Sequence, residues 1–357
     1  MTLYCGGFNA SNQLGCISDK NLPYKMDVPV DGLRCLTNGE DHSILVYNNG
    51  SVYAVGDDED FTIGTPNRTL YLSPEKIDSI ISKEKIIYAH SGSFYSSYLT
   101  ESGKIIICSL KQKENPITFA PENPIIHLSG CGRSPVAIDS KGNAYIFKDD
   151  PSIEPEYISY FDKPIYDICQ TDAFTACIDI DGCALGNGIL NNGNHEFVKI
   201  EALKNKKIKQ ISACEIHAIF VTDDNNAFIF SDIYNEEMDD IGFHDLVDVF
   251  CDSIEDDDPN KDILKDNLIK TFRNNIAQVA TGCTHALILT CDQKLFCYGY
   301  NNDGALLIDK ESCADLPKEI KIEGQISSIL CGPLQSFVLV NHEPLAHAGA
   351  IHFNICK

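Results

Sequence analysis

Three histidines occupy equivalent places in a recurring sequence pattern, and histidine is the side chain best suited to proton transfer or metal binding near neutral pH. They are His42, His217 and His285. A metal site would need two or three ligands that converge on one ion at about 2 Å. Because each histidine belongs to a different copy of the pattern, we expect the three to lie apart, with each imidazole bonding a backbone group at a chain corner. The pattern therefore predicts a structural role, with no metal and no cofactor.

No other constellation in the sequence is typical of a catalytic site. Asp179, Asp181 and Gly182 begin like a calcium-binding loop, but the further oxygen ligands and the closing Glu of that loop do not follow. A hairpin turn is the better prediction there. The chain also lacks a phosphate-binding glycine loop, a Gly-x-Ser-x-Gly elbow and a His-Glu-x-x-His helix. We predict that the protein is not an enzyme in its own right.

The 16 cysteines of the chain contain no Cys-x-x-Cys pair, the common seed of a zinc or redox site. Most of them lie inside apolar, strand-like runs, as Cys108, Cys177 and Cys297 do, where a thiol acts as a small apolar side chain. No secretory signal is predicted before Cys5, and no apolar stretch reaches 18 residues. We expect reduced, structural cysteines in a reducing compartment, the cytoplasm, with the nucleus as an alternative.

The charge of the chain restricts its partners. It has 52 acidic and 28 basic residues, for a formal net charge of -24. Nucleic acids and anionic membranes are bound largely through Lys and Arg, and no long basic run is present. We therefore predict no direct nucleic-acid partner and no membrane partner. A protein with a basic surface is favoured instead.

One pattern recurs along the chain: an apolar strand, a corner, a second strand, a polar turn and a third strand. Its clearest copies run from Leu33 to Gly56 and from Ile276 to Gly299. In each copy the corner position lies eight residues before the turn position. The pairs are His42 with Gly50, Tyr95 with Gly103, Ser134 with Gly142, Phe174 with Gly182, His217 with Asn225, His285 with Gln293, and Gln335 with Glu343.

The spacing of these copies predicts an all-β fold. The copies begin near residues 33, 86, 125, 165, 208, 276 and 326, and steps of about 40 to 70 residues match one blade of four short strands plus its loops. We predict a single seven-bladed β-propeller over residues 1–357, with blades of four antiparallel strands, closed by pairing of N- and C-terminal segments. Leu3–Gly6 and Leu345–Gly349 compete for the closing place. The structural corners are Gly39, His42, His217, Gly282, His285 and Gly332.

These copies resemble the repeat of the regulator of chromosome condensation family, which couples a Gly-x-x-His-[Ser/Thr] corner to a Gly-x-Asn-x-x-Gly-Gln-Leu-Gly tail. The tail is nearly complete from Gly7 to Gly15, with Asn12 in place of the inner Gly, and traces of it follow Gly56 and Gly299. The resemblance covers essentially the whole chain and implies a propeller. Family members serve as exchange factors, ubiquitin-ligase modules, light receptors and scaffolds, so the resemblance selects no single function. The chain shows no counterpart to the wedge-like insertion of the founding member.

The longest departure from the repeat is an acidic insertion over residues 232–275, with a short helix predicted from Asp262 to Phe272. Long loops on rigid scaffolds often carry function. A mobile acidic loop and a partner-docking element are both open interpretations. For docking, the candidate side chains are the apolar Phe243, Leu246, Val249 and Phe250 and the acidic Asp256, Asp257 and Asp258. A second acidic run, Asp57–Asp60, is predicted to be a solvated loop, with a contact for a basic partner as the alternative.

Three functions remain open. We predict a non-catalytic protein-interaction platform that binds a protein partner through its loops. The family resemblance implies an alternative, an exchange factor or regulator of a small GTPase, which needs no catalytic acid or base. A further alternative is a structural component of a large cytoskeletal or ribosome-like assembly.

Overall fold

Short strands with alternating apolar residues form seven four-stranded antiparallel sheets, arranged as the blades of a propeller. The computed structural model describes residues 1–341 except 17–21, 67–69, 78–80, 82, 110–114, 132–133, 149–151, 160, 172, 192–193, 215–216, 232–241, 257 and 310. The predicted seven-bladed β-propeller is confirmed.

The first four blades follow one another along the chain, each beginning with its innermost strand. Blade one contains β3 (Leu33–Asn38), β4 (His42–Tyr47), β5 (Val52–Gly56) and β6 (Tyr71–Lys76), and blade two contains β7 (Ile86–Gly92), β8 (Tyr95–Thr100), β9 (Ile105–Ser109) and β10 (Ile117–Phe119). Blade three contains β11 (Ile125–Cys131), β12 (Ser134–Asp139), β13 (Ala144–Ile146) and β14 (Glu156–Ile158), and blade four contains β15 (Ile165–Gln170), β16 (Thr175–Asp179), β17 (Ala184–Gly188) and β18 (Asn194–Lys199).

The remaining blades complete the circle and include strands from both ends of the chain. Blade five contains β19 (Ile208–Cys214), β20 (His217–Thr222), β21 (Ala227–Ser231) and β22 (Gly242–Asp245), and blade six contains β23 (Ile276–Thr281), β24 (His285–Thr290), β25 (Leu295–Tyr300) and β26 (Cys313–Ile320). Blade seven contains β27 (Gln325–Cys331), β28 (Gln335–Asn341), β1 (Thr2–Gly7) and β2 (Tyr24–Lys25).

The turn positions deduced from the repeat coincide with left-handed backbone. Gly50, Gly103, Gly142 and Gly182 have φ angles of 85°, 79°, 80° and 82°, and Asn225 and Gln293, the residues at the same position in blades five and six, have φ angles of 63° and 66°. Such angles suit glycine and are tolerated by asparagine in tight hairpins. The eight-residue spacing is therefore set by one short strand and its hairpin turn. Glu343 lies outside the described residues.

The N-terminal strand closes the propeller. β1 pairs with β28 in an antiparallel register that runs from Thr2 opposite Val340 to Gly7 opposite Gln335, and it takes the place that third strands hold in the other blades. β2 then pairs with β1 at the outer edge. The competing segment Leu345–Gly349 lies outside the described residues. Pairing of the two chain ends leaves no gap between blade seven and blade one.

The apolar core lies between neighbouring blades. One cluster joins Leu3 and Phe337 of blade seven to Leu36 and Leu45 of blade one, and all four are buried. Similar clusters join the other adjacent blades. Burial of a Leu or Phe side chain contributes about 1.5–3 kcal/mol. Each blade therefore depends on both neighbours for its stability.

Two helices occur in the described part of the insertion, and they pack on blades five and six. α1 (Leu246–Asp252) begins at Asp245, whose carboxylate accepts a hydrogen bond from the Val247 amide at 3.0 Å. α2 (Lys261–Phe272) confirms the predicted helix. Phe250 of α1 lies 5.0 Å from Tyr298 of blade six, measured between ring centroids. Neither helix is long and apolar enough to cross a membrane.

Substitution of Leu3 by Ala should destabilise the protein because it removes a buried side chain at the closure of the ring. Leu3 is 1 % exposed, whereas Met1 is 44 % exposed. We expect the free energy of unfolding, measured by urea denaturation, to fall by about 2–5 kcal/mol for Leu3→Ala. For Met1→Ala we expect a change within about 0.5 kcal/mol. Equal stabilities for the two variants would contradict closure by the N-terminal strand.

Candidate functional site

The glycine-histidine corner joins one blade to the next. In blade one, Nε2 of His42 lies 2.7 Å from Oγ of Ser96 in blade two. In blade six, Nε2 of His285 lies 3.0 Å from Oγ of Ser336 in blade seven. We expected each imidazole to bond a backbone group at its own corner. In these two blades Nε2 instead bonds a serine hydroxyl of the neighbouring blade.

Close packing of the imidazole explains the glycine at the start of each corner. A Cβ on Gly39 would lie 2.4 Å from Cε1 of His42, and a Cβ on Gly282 would lie 2.2 Å from Cε1 of His285. Any side chain there would collide with the ring. Gly332 of blade seven is also restricted, because a Cβ there would lie 1.9 Å from Oδ1 of Asn38 in blade one.

Five of the seven corners depart from this arrangement. Tyr95, Ser134 and Phe174 replace the histidine in blades two, three and four, and the remaining two departures are in blades seven and five. In blade seven, Gln335 replaces His, and its Nε2 donates to the carbonyl oxygen of Glu40 in blade one at 2.9 Å. In blade five, His217 is present, but Ala286 of blade six stands where Ser96 and Ser336 stand in their blades. The His217 ring makes no hydrogen bond within the described part of the chain. The interface of blades five and six therefore lacks the histidine-serine bond.

The tail loops fill the gaps between blades at the same side of the ring. Oδ1 of Asn9 accepts from the Leu14 amide at 2.8 Å, and Oδ1 of Asn301 accepts from the Leu306 amide at 2.9 Å. The inner position of the tail is left-handed, with a φ of 59° at Asn12. Asparagine tolerates that conformation, which accounts for its presence in place of glycine.

In blade one the Asp58 carboxylate accepts loop amides as the Asn9 and Asn301 side chains do. The prediction of a solvated Asp57–Asp60 loop is therefore wrong for Asp58. Its carboxylate is fully buried and accepts from the amides of Ile63 and Thr65 at 2.7 and 2.9 Å. Burial raises its pKa above the usual value, although these hydrogen bonds oppose the shift. Asp58 therefore organises the loop, and only its neighbours face solvent. In blade five the corresponding loop lies outside the described residues.

Around the central channel, side chains of the innermost strands form hydrogen bonds to the innermost strand of the next blade. Nε2 of Gln210 donates to the Val279 carbonyl at 2.7 Å, and Nε2 of Gln278 donates to the Ile329 carbonyl at 3.2 Å. Oγ of Ser212 lies 2.9 Å from Oγ1 of Thr281. These contacts hold blades five, six and seven together around a cavity of about 90 Å³.

The structure divides the predicted docking residues of the insertion into two groups. Leu246 and Phe250 are 1 % and 0 % exposed, so they anchor α1 to the blades and present no surface to a partner. Phe243 packs against Phe230, with ring centroids 4.9 Å apart, and Val249 is half-buried. Within residues 242–256 and 258–275, the insertion is therefore packed on the blades.

The acidic candidates lie between the two helices. Asp256 is exposed and forms an ion pair with Lys261, and Asp258 accepts from the Asn260 amide at 2.7 Å. Asp257 lies outside the described residues. Partner binding by these carboxylates stays a prediction.

The corner and tail of blade six match a repeat of known proteins. A sequence model of the regulator of chromosome condensation (RCC1) repeat matches residues 276–305, which include the corner Gly282–His285 and the start of the tail at Gly299. Blade six therefore contains a repeat of the RCC1 type. A search of curated protein sequences gives no match.

Solved structures show the same propeller as this chain. Human WBSCR16 has a TM-score of 0.74 at 12% identity, covering 95% of this chain and 98% of that one. Prp20p from Saccharomyces cerevisiae, described with its binding to Gsp1p and histones, has a TM-score of 0.71 at 14% identity, covering 94% and 90%. Yeast RCC1 (Prp20) bound to Kap60 has a TM-score of 0.71 at 13% identity, covering 94% and 88%. At these identities the likeness establishes the fold.

One surface in the insertion was not anticipated from the sequence. On α2, Phe272 is buried and Leu268 is half-buried, whereas Ile263 and Ile269 are 62 % and 40 % exposed. Asp262 and Asp266 lie on the same exposed side. The signal was available in the helical spacing for Ile263, which falls opposite Leu268 and Phe272 in a helical projection, whereas Ile269 lies at the edge of the exposed side, about 120° from Ile263.

The corner histidines are neutral because they are buried. Burial lowers the pKa of His42, His217 and His285 from 6.5 to about 4, and it does the same at His90, on the innermost strand of blade two. Within the described ranges, no group of three or more His, Cys, Asp or Glu residues lies close enough to hold a metal ion. The arrangement can thus hold blades together, and its chemistry is hydrogen bonding by neutral imidazole.

These pKa shifts predict acid sensitivity. Below pH 6.5 the unfolded chain binds protons at these histidines, while the folded chain does not bind them until about pH 4. Their contribution to stability is therefore complete above pH 6.5 and is lost as the pH falls towards 4. Each shifted histidine should lower the free energy of unfolding by about 2 kcal/mol between pH 7 and pH 5.

Urea denaturation at the two pH values, followed by circular dichroism, measures this loss. His217→Gln removes one such histidine at a corner without a described hydrogen bond, and its stability should depend less on pH than that of the wild type. Equal stability at pH 7 and pH 5 would show that the buried histidines are not neutral in the folded chain.

Proposed function

We propose that this chain is a non-catalytic protein-interaction platform that binds a protein partner through the exposed side of α2. The observation that carries the proposal is a fixed helix that exposes two apolar side chains beside two carboxylates. α2 is held on the propeller by Phe272, whose ring centroid lies 4.8 Å from that of Phe296 in blade six. Its outward Ile263 and Ile269 remain exposed. Apolar side chains presented by a rigid element are typical of an interaction surface.

Charge supports a basic partner for this surface. Asp262 and Asp266 lie between the two isoleucines in a helical projection, and the whole chain carries 52 acidic against 28 basic residues. Lys270 is paired with Asp266 at 3.7 Å, and Arg273 is paired with Asp248 at 2.8 Å, so basic side chains near the surface are already compensated. A partner with a basic and partly apolar surface would gain both electrostatic steering and apolar burial.

A second candidate is a regulator of a small GTPase. The observation that favours it is the shared propeller of Prp20p, a protein described with its binding to Gsp1p, which is a small GTPase. Such an activity depends on loops that compete with nucleotide and Mg²⁺ for the GTPase. It is compatible with a platform and would specify the partner.

Substitution of Ile263 by Glu should abolish capture of the partner without unfolding the protein, because the side chain is exposed. The matched control is Ile180→Glu, since Ile180 is 60 % exposed in a hairpin of blade four, away from α2. The measurement is quantitative mass spectrometry of proteins retained by each tagged full-length chain, followed by titration with the purified candidate. We expect at least a tenfold loss of affinity for Ile263→Glu and no loss for Ile180→Glu. Equal affinity of both variants would reject α2 as the docking surface.

The GTPase alternative has its own measurement. Release of a fluorescent guanine nucleotide from a panel of purified small GTPases is followed with and without the full-length chain. If the chain is an exchange factor, one GTPase should lose nucleotide faster in its presence, and Ile263→Glu shows whether α2 takes part. No acceleration with any member of the panel would eliminate this candidate.

A further inference from the structure

An apolar pocket lies between blades five and six, apart from the exposed side of α2. Its volume is about 240 Å³. Ile219 and Ile229 of blade five form one wall, Ile288 and Tyr298 of blade six form the opposite wall, and Leu246 and Phe250 of α1 close one side. Tyr300, which is 63 % exposed, also borders the pocket, so the pocket reaches the surface beside this ring.

The corner of blade five, where His217 has no serine partner, borders this pocket. His217 and Ala286 both line it, and Ala286 stands at the position where Ser96 and Ser336 bond the histidines of blades one and six. His217 is 8 % exposed, and no described residue donates a hydrogen bond to its ring or accepts one from it. Its ring therefore remains available to bond a molecule that enters the pocket.

The size of the pocket limits the occupant. A dry apolar cavity of about 150 Å³ holds one benzene ring, and this pocket is larger, with room for two fused rings. Its walls would penalise a charged molecule, because charge would be transferred from water to an apolar environment without a counter-ion. The only hydrogen-bonding side chains along it besides His217 are those of Thr284, His285, Cys283 and the two tyrosines among the described residues, and His285 is already bonded to Ser336.

We propose that this pocket binds a small, neutral, bicyclic aromatic molecule that carries one hydroxyl group, with the rings between Ile219 and Ile288 and the hydroxyl bonded to His217. The hydroxyl takes the place of the serine that the other two histidine corners possess. Because binding at this site requires no partner protein, the proposal can be tested independently of docking on α2.

The test uses 2-naphthol as the hydroxylated probe and naphthalene as its counterpart without a hydroxyl. The chain contains no Trp, so naphthol fluorescence can be followed without tryptophan background. We expect saturable binding of 2-naphthol to the full-length chain and weaker binding of naphthalene. Ala286→Leu, which extends a side chain into the pocket, should weaken both probes at least tenfold.

Ala286→Ser provides the matched control, because it supplies the hydroxyl that blades two and seven have at this position. The new serine should bond His217 and compete with the probe hydroxyl. We expect 2-naphthol binding to weaken about threefold to tenfold, the value of one neutral hydrogen bond, while naphthalene binding stays within about twofold. Thermal unfolding should show that this variant is at least as stable as the wild type.

Methyl NMR keeps the proposal testable if Ala286→Leu fails to fold. In the wild-type chain with labelled isoleucine, 2-naphthol should shift the methyl signals of Ile219, Ile229 and Ile288, assigned by Ile→Val substitution, and leave that of Ile138 in blade three unchanged. The proposal is overturned if neither probe binds up to its solubility limit. It is equally overturned if the shifted methyl groups lie elsewhere, or if Ala286→Ser affects both probes alike.

Discussion

A four-stranded blade has two apolar faces and can bury them only against its neighbours. The rest of this structure follows from that constraint. The apolar clusters join adjacent blades, as Leu36 of blade one and Phe337 of blade seven do. The ring must also close, since an open end would leave one blade with an unburied face and a free strand edge. β1 meets this requirement by pairing with β28, so the stability of blade seven depends on residues more than 300 positions apart in the chain.

The corners add direction to this packing. An imidazole that bonds the next blade sets the angle between two sheets more narrowly than apolar contact can, because a hydrogen bond of 2.7 Å between His42 and Ser96 tolerates little displacement. The interface of blades five and six lacks that bond, and several other departures from the repeat coincide there. α1 and α2 pack on its outer side, Sγ of Cys214 lies 3.4 Å from Sγ of Cys283 at its inner end, and the apolar pocket lies between the two. This interface has a corner histidine without the serine partner that His42 and His285 have, and the pocket lies at that corner.

The strands and turns, which depend on residues close together in the sequence, were predicted from the sequence. The eight-residue step from His42 to Gly50 reflects a strand and a left-handed turn, and the same step located all seven blades. Contacts between residues far apart in sequence were not predictable from such spacing. Ser96 is 54 residues from His42, and nothing local identifies it as the partner. Burial was misjudged for the same reason: Asp58 and Phe250 stand in acidic segments that read as solvated, yet each is completely buried by residues from elsewhere. The exposed Ile263 could have been found from helical periodicity alone.

The proposed docking surface and the proposed pocket are separate sites joined by packed rings. Phe250 lines the pocket, and its ring centroid lies 5.5 Å from that of Phe272, the residue that holds α2 on blade six. A molecule in the pocket would contact Phe250. Contact alone does not establish coupling, which requires that each ligand change the affinity for the other by the same factor. Close packing of these rings favours transmission of a displacement, whereas anchoring of α2 through Phe296 opposes it. The sign and size of any coupling therefore depend on whether the occupant moves Phe250. An occupant of up to about two fused rings fits the pocket without displacing this side chain.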